Sequence, residues 1–147
     1  MRPILRKFLP EGDRIAFDEY VRGLTVPPLK WDPSARVNDD TGTATQDRPA
    51  LALAADGSAW AVFEDARLSG TGDIFVSRRD PVTGRWGPNE RVTPPMDGTV
   101  AAPSVAVDAA GAVHVVWQLV HPGVSGLGTD LYYARRDPTT GTWSAPL

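Results

Sequence analysis

The 147-residue sequence contains no cysteine and only two histidines. Without cysteine, neither a disulfide framework nor a thiolate-bound metal site can form. A histidine-based metal site is not expected either, because such sites normally use several imidazole ligands. We therefore expect no metal centre and no cofactor. The absence of cysteine leaves the compartment open, since a secreted protein need not contain disulfides.

An excess of basic residues and a long apolar stretch are also missing. The net charge is −3, whereas a nucleic-acid-binding domain normally presents a basic face. No stretch approaches the roughly 18 apolar residues that a membrane-spanning helix requires. Near the N-terminus, charged residues follow the short apolar run Pro3–Leu5, which is not the pattern of a signal peptide. We expect neither a nucleic-acid partner nor a membrane span.

Hydrophobic residues make up 41% of the sequence, which is close to the globular average and sufficient for a packed core. Glycine and proline, with 14 residues each, indicate many turns. One segment, Arg48–Trp86, recurs in altered form as Ala102–Trp143, with three extra residues in Gln118–Thr129. Such repetition is typical of an array of one structural unit. Matched pairs include Pro49 and Pro103, Gly57 and Gly111, Phe63 and Trp117, Asp73 and Asp130, and Asp80 and Asp137.

Each repeat has the pattern of short strands separated by glycine-containing turns. The second repeat, residues 102–147, lacks the last strand of the first repeat, residues 48–92. Trp31–Val37 resembles Trp86–Val92, so residues 31–37 are predicted to be a surplus last strand. The fold class is therefore all-β, with about two units of four antiparallel strands in residues 31–147. The strands predicted for the first repeat are Ala50–Leu53, Ala59–Phe63, Asp73–Arg78 and Trp86–Val92.

Residues 1–30 match nothing in the repeats and are interpreted as an N-terminal arm. They contain six of the 15 basic residues. Two conformations fit the segment Arg14–Leu24: a short helix with Asp13 as its N-cap, or an extended arm with one helical turn. The segment Val26–Pro28 ends any helix, because proline lacks a backbone N–H and restricts the residue before it.

The repeats resemble the blades of the sialidase-like Asp-box (BNR-repeat) β-propellers over about residues 31–147. The family's box reads Ser-x-Asp-x-Gly-x-Thr-Trp, and the corresponding segments here are Asp80–Trp86, DPVTGRW, and Asp137–Trp143, DPTTGTW. Both segments are one residue longer between Asp and Trp, so the boxes are degenerate. The resemblance implies that each unit is a propeller blade of four antiparallel strands. It also implies an extracellular or surface-associated protein.

The residue types in the boxes favour a structural role. An aspartate carboxylate accepts hydrogen bonds from turn N–H groups, glycine adopts the left-handed conformation, and tryptophan covers the hairpin. The residues predicted to hold the two turns are Asp80, Gly84, Trp86, Asp137, Gly141 and Trp143.

The same resemblance raises the question of catalysis. In sialidases, an Arg-Ile-Pro segment and an Asp-x-Arg loop supply arginines that bind the substrate carboxylate, and the matching residues here are Arg48 and Arg67. Arg48 is adjacent to Pro49, one residue closer than in the family, and no aspartate lies between Arg67 and Asp73 to act as the acid/base. We therefore expect no catalytic residues and no enzymatic activity.

The segment Glu64–Arg67 does not recur, because Gln118–His121 takes its place in the second repeat. Loops after the second strand of each unit are expected to lie on one face, so a specific site is predicted there. Its ligand would be a glycan or a protein partner. The candidate ligand-binding residues are Arg48, Glu64, Asp65, Arg67, Gln118 and His121.

The surplus strand and the missing strand are complementary. This favours a homo-oligomer in which chains associate head to tail and three of them close a six-bladed ring. A fragment of a longer propeller, or closure within one chain, is the alternative. The leading functional hypothesis is a non-enzymatic module that binds or scaffolds. The alternatives are a structural component of a larger assembly, such as a virion or surface appendage docked by the arm, and a degenerate or partial sialidase.

Overall fold

The computed structural model describes residues 33–121, 123 and 128–147. These residues contain no helix, and so none that is long and apolar enough to cross a membrane. Their strands form two antiparallel sheets, which confirms the all-β prediction. The first sheet has the order β1-β2-β3-β4 and the second has the order β5-β6-β7. The strands are β1 Gln46–Leu53, β2 Ala59–Asp65, β3 Asp73–Arg79, β4 Glu90–Arg91, β5 Thr99–Val107, β6 Val113–Val120 and β7 Thr129–Arg136.

The N-terminal arm, including the predicted helix at Arg14–Leu24, lies outside the described residues. So do Trp31 and Asp32, the first residues of the predicted surplus strand. The two sheets do not close into a ring, so propeller blades remain a proposal.

Tight turns join β1 to β2 and β5 to β6 at matched positions. In the first turn, the Gly57 N–H donates to the Ala54 carbonyl at 3.0 Å, and the φ of Gly57 is 82°. In the second turn, the Gly111 N–H donates to the Asp108 carbonyl at 3.0 Å, and the φ of Gly111 is 85°. Glycine adopts this left-handed conformation without the steric cost that a Cβ atom brings. The two repeats therefore use the same turn.

The fourth strand of the first sheet is shorter than the predicted segment Trp86–Val92. Only Glu90–Arg91 forms β4, and Trp86 makes an isolated bridge to Arg79. Pro88 lies between the bridge and β4. Because proline has no backbone N–H to donate, it interrupts the ladder at this point.

The described part of the predicted surplus strand, residues 33–37, forms no strand. The Val37 carbonyl instead accepts a hydrogen bond from the Asn89 side chain at 3.2 Å. The Asp39 N–H donates to Asn89 Oδ1 at 2.8 Å. A side chain of the first sheet therefore holds this segment, where the sequence pattern predicted a ladder of backbone bonds.

The second sheet has three strands, and the chain that follows β7 runs back beside it. Trp143 makes an isolated bridge to Arg136. Leu147 exchanges two backbone hydrogen bonds with Tyr133, at 3.0 and 3.2 Å. The bridge repeats the one between Trp86 and Arg79, so both sheets continue into the fourth-strand position in the same way.

The hydrophobic core lies between the two sheets, and β5 is the strand of the second sheet that contacts β1, β2 and β3. Full burial of an aliphatic or aromatic side chain contributes about 1.5–3 kcal/mol. The shared core therefore holds the sheets together. Its buried members are Trp60, Val62, Ile74, Val76, Val92, Val100, Val113, Val115, Trp117, Leu119 and Ala134.

The two sheets differ in the number of faces that are covered. Every residue of β2 except Glu64 is buried, so both faces of the first sheet are covered along this strand. Burial alternates along β6, where Val115 and Trp117 are buried and Val116 between them is 44% exposed. The second sheet thus packs against the first through one face and leaves its other face open.

Candidate functional site

Arg48 and Glu64, two of the predicted ligand-binding residues, lie on the neighbouring strands β1 and β2, where Glu64 pairs with Asp47. A β-bulge between Asp47 and Ala50 interrupts the pairing of these strands, and the φ of Arg48 is 46°. Arg48 Nη1 donates to Glu64 Oε1 at 3.0 Å. The side chain of Arg48 is 60% exposed and that of Glu64 is 15% exposed, so the pair lies at the surface with its carboxylate turned inward.

Glu64 also joins the two sheets. Its Oε1 accepts a hydrogen bond from the backbone N–H of Ala102 at 2.6 Å. Ala102 lies in a β-bulge of β5 that matches the bulge of β1, and its φ is 51°. Arg48 and Ala102 occupy matched positions of the two repeats and share this left-handed conformation. The Glu64 carboxylate therefore holds the bulge of the second sheet against β2.

Asp65 and Arg67 form an ion pair at the end of β2. Asp65 is fully buried, and its carboxylate accepts hydrogen bonds from the backbone N–H and from Nε of Arg67, each at 2.8 Å. Arg67 Nη2 lies 2.7 Å from the same carboxylate. The guanidinium carbon lies 4.7 Å from the centroid of the Phe75 ring. These contacts hold the arginine side chain flat against the sheet.

The Arg67 guanidinium also binds Asp39, in the segment before β1, and Asn89, which directly precedes β4. Nη1 donates to Asp39, and Nη2 donates to Asn89 Oδ1 at 2.9 Å. The Asn89 N–H in turn donates to Asp39 Oδ2 at 2.9 Å. We call Asp39, Asp65, Arg67 and Asn89 the Arg67 cluster.

The electrostatics of the Arg67 cluster favour the charged form of every group whose pKa is shifted. The hydrogen bond to Asp65 raises the pKa of Arg67, despite the opposing effect of burial. Burial opposes the charge of Asp39, but hydrogen bonds from the Asn89 backbone and from Arg67 lower the pKa of Asp39 overall. The guanidinium is thus permanently charged and surrounded by acceptors of its own chain.

Gln118 lies on β6 and His121 follows the end of that strand, and they do not join the other candidates. Gln118 pairs with Ala101 and Leu131, on the face of β6 that points away from the core. His121 Nε2 lies 3.0 Å from Asp130 Oδ2. The six predicted ligand-binding residues therefore include two contacting pairs, Arg48 with Glu64 and Asp65 with Arg67, and Gln118 and His121 are separate from both pairs.

The two predicted aspartate turns have the same geometry. Asp80 Oδ1 accepts the N–H groups of Val82 and Thr83 at 3.0 and 2.7 Å, and Gly84 has a φ of 69°. The Thr83 backbone N–H contributes most to lowering the pKa of Asp80. Each aspartate is the acceptor that its own turn requires.

The second turn repeats this pattern. Asp137 Oδ1 accepts the N–H groups of Thr139 and Thr140 at 2.8 and 2.9 Å, and Gly141 has a φ of 70°. The Thr140 backbone N–H contributes most to lowering the pKa of Asp137. The half-buried tryptophans Trp86 and Trp143 follow the two turns.

A cleft of about 560 Å³ lies at the other end of the strands, between the turns that precede β2 and β6. The guanidinium carbons of Arg78 and Arg136 lie 5.9 and 5.2 Å from the centroid of the Trp60 ring, which forms part of its wall. Arg136 binds Glu90 through Nε and Nη2, each at 3.0 Å, and Arg78 binds Asp56 at 2.9 Å. Both guanidiniums are paired with carboxylates, and the cleft contains none of the predicted ligand-binding residues.

Sequence reasoning identified Asp65 and Arg67 but missed Asp39 and Asn89. These two residues are 50 positions apart, and nothing local to either one indicates the contact. The one available signal is that each lies in or beside one of the two similar segments, Trp31–Val37 and Trp86–Val92. In the part of the chain that the structure describes, no group of His, Asp and Glu side chains is placed to hold a metal ion.

No protein-family model matches the chain, and no curated protein matches it. Two solved structures resemble its fold. One is the Hadza microbial sialidase Hz136, with a TM-score of 0.57 and 23% sequence identity over 69% of this chain. The other is a protein of unknown function from Dyadobacter fermentans DSM 18053, with a TM-score of 0.53 and 13% identity over 71% of this chain.

This chain spans only part of either neighbour. It covers 25% of the sialidase and 36% of the Dyadobacter protein. At these sequence identities the likeness concerns the fold alone. The two sheets therefore have a sialidase-like arrangement of antiparallel strands.

Proposed function

We propose that the chain is a non-enzymatic β-propeller segment that serves as a binding and scaffolding module. The observation that supports this proposal is the set of hydrogen bonds made by Arg67, the residue that matches a substrate-binding arginine of sialidases. Its Nε, Nη1 and Nη2 all donate to side chains of its own chain. A guanidinium that binds a substrate carboxylate needs a free pair of donors.

Arg48, the other matching arginine, donates from Nη1 to a carboxylate of its own chain. Its guanidinium binds Glu64, whose carboxylate also holds the Ala102 N–H of the second sheet. A substrate carboxylate bound to Arg48 would lie beside the Glu64 carboxylate, and the two like charges would repel each other. Arg67 thus stabilises the fold at the segment before β1, whereas Arg48 forms a surface ion pair with the carboxylate that joins the sheets.

The loops at the Arg67 end of the strands are the proposed binding surface. The β2–β3 loop, residues 66–72, begins after Asp65. Residues 122 and 124–127 of the second predicted loop, Gln118–Thr129, lie outside the described residues. Neighbouring loops of different sequence can provide a specific surface on a repeated scaffold. A glycan or a protein is the proposed ligand.

A sialoside hydrolysis assay tests the non-enzymatic part of this proposal. We expect the purified chain to release no fluorophore from a fluorogenic sialoside under conditions in which an active sialidase does. The alternative is a partial sialidase, which the structural likeness to Hz136 supports. It would be favoured if the chain released fluorophore and Arg67→Lys abolished this release without changing the unfolding transition. A glycan array then tests the binding part, because saturable binding identifies a glycan as the ligand.

A further inference from the structure

The open face of the second sheet exposes apolar side chains in neighbouring positions. Val116 on β6 is 44% exposed, and Leu131 on β7 is 74% exposed. Tyr133, which pairs with Val116 in the ladder, stacks on His114 of the same face. Large apolar side chains that lie together on a sheet face usually mark a contact surface.

In the first sheet, the matching face is buried. Val62 and Ile74 occupy the positions that match Val116 and Leu131, and both are fully buried. They lie on the face that carries Glu64, and this face packs against β5 of the second sheet. The open face of the second sheet therefore matches the face of the first sheet that β5 covers within the chain.

The matching surface for this face is exposed on β1. Within the chain, β5 contributes Val105 and Val107 to the contact between the sheets, where both pack against the core. Their counterparts on β1 are Leu51 and Leu53, which are 61% and 73% exposed. One chain therefore exposes counterparts of both sides of its internal contact, Leu51 and Leu53 on β1 and the open face of the second sheet.

We propose that the open face of the second sheet binds β1 of a second copy of this chain, so that chains associate head to tail and repeat their internal contact. In this arrangement Leu51 and Leu53 of one copy pack on Val116 and Leu131 of the next. The inference rests on the proposed scaffold role. It adds the partner, a further copy of the chain, and the residues through which that partner binds.

The residues that make the polar contact between the sheets also have counterparts in the proposed contact between two chains. Within the chain, Glu64 accepts a hydrogen bond from the backbone N–H of Ala102. Gln118 matches Glu64, and Arg48 matches Ala102 and has the same left-handed conformation, with a φ of 46°. In the head-to-tail contact, the Gln118 side-chain oxygen therefore accepts the backbone N–H of Arg48 of the next copy. This bond sets the register of the two copies.

Solution mass measurements on the full 147-residue chain and on two double variants test the proposal. Val116→Asp with Leu131→Asp removes the open face, and Leu51→Asp with Leu53→Asp removes the β1 surface. We expect the unmodified chain to form oligomers and each double variant to be a monomer. We also expect an equimolar mixture of the two double variants to form a one-to-one dimer, because each retains the surface that the other has lost.

Val82→Asp is the matched control, because Val82 is a 91% exposed apolar residue that lies in the Asp80 turn and belongs to neither proposed surface. This variant is expected to associate like the unmodified chain. A monomeric unmodified chain at every concentration tested would overturn the proposal. So would association that one of the two double variants retains, because that outcome indicates a contact between two identical faces. Circular dichroism confirms that each variant is folded, and none of these outcomes depends on sialoside hydrolysis.

Discussion

Replacement of Arg67 by alanine should destabilise the fold strongly. The side chain of Arg67 is 18% exposed, and the Asp65 carboxylate that it binds is fully buried. Without the guanidinium, this carboxylate keeps the Arg67 backbone N–H but loses its bonds from Nε and Nη2. Removing one partner of a buried ion pair costs about 3–5 kcal/mol, because the remaining charge is left without compensation. We expect Arg67→Ala to lower the free energy of unfolding by an amount in this range.

An exposed arginine provides the comparison. Arg78 binds Asp56, and the side chains of the pair are 42% and 56% exposed. Pairs of this kind contribute up to about 1 kcal/mol, because water and salt screen them. Arg78→Ala is therefore expected to reduce the free energy of unfolding several-fold less than Arg67→Ala does.

Urea unfolding followed by tryptophan fluorescence measures both effects, at a protein concentration where the chain's association state has been determined. A third variant, Arg67→Met with Asp65→Leu, removes both charges and should recover part of the stability that Arg67→Ala loses. If Arg67→Ala is as stable as Arg78→Ala, the Arg67 cluster does not hold the fold. The assignment of Arg67 as a structural residue would then be wrong, and a role in ligand binding would regain support.

Three further predictions concern turns, acid stability and the sheet faces. Gly84→Ala should cost about 1–2 kcal/mol in thermal or urea unfolding, because the φ of Gly84 is 69° and a Cβ atom is strained there; an unchanged stability would contradict this. Because hydrogen bonds from Thr140 lower the pKa of Asp137, this carboxylate contributes stability above the unfolded value of 3.8 that is lost as the pH falls through the lower folded value. Asp137→Asn should therefore flatten the acid-dependent loss of stability below about pH 4, as measured by urea titrations at several pH values. Val62→Ala should lower the free energy of unfolding by about 1.5–3 kcal/mol, because Val62 is fully buried. Val116→Ala should leave the stability of the single chain nearly unchanged and weaken association. Equal losses of stability would show that the two matched faces are equally covered.

Several features of the fold were predictable from local sequence. Gly57 and Gly111 close hairpin turns, because glycine tolerates the positive φ that these turns require. Asp80 and Asp137 accept the N–H groups of residues that follow within three positions. Such contacts depend only on neighbouring residues, so a pattern that recurs in the sequence recurs in the structure.

The candidate site was less accessible to sequence reasoning. Asp65 and Arg67 are two of the six residues predicted to bind a ligand, and the structure pairs them with each other. Asp39 and Asn89, which occupy the remaining donors of Arg67, come from distant parts of the chain. The fourth strand was predicted too long, because the similarity to Trp31–Val37 outweighed the effect of Pro88 on the ladder.

The sequence by itself determined the first three strands of each repeat, the turns between them, the position of the repeats and the all-β class. These follow from the alternation of side chains and the backbone preferences of glycine and proline, which act within a few residues. Only the tertiary structure decided which charges of the Arg67 cluster meet and which sheet face stays open. Val62 and Val116 occupy matched positions in the sequence, yet one is fully buried and the other is 44% exposed. Burial depends on which sheet packs against a given face, and no local pattern encodes that.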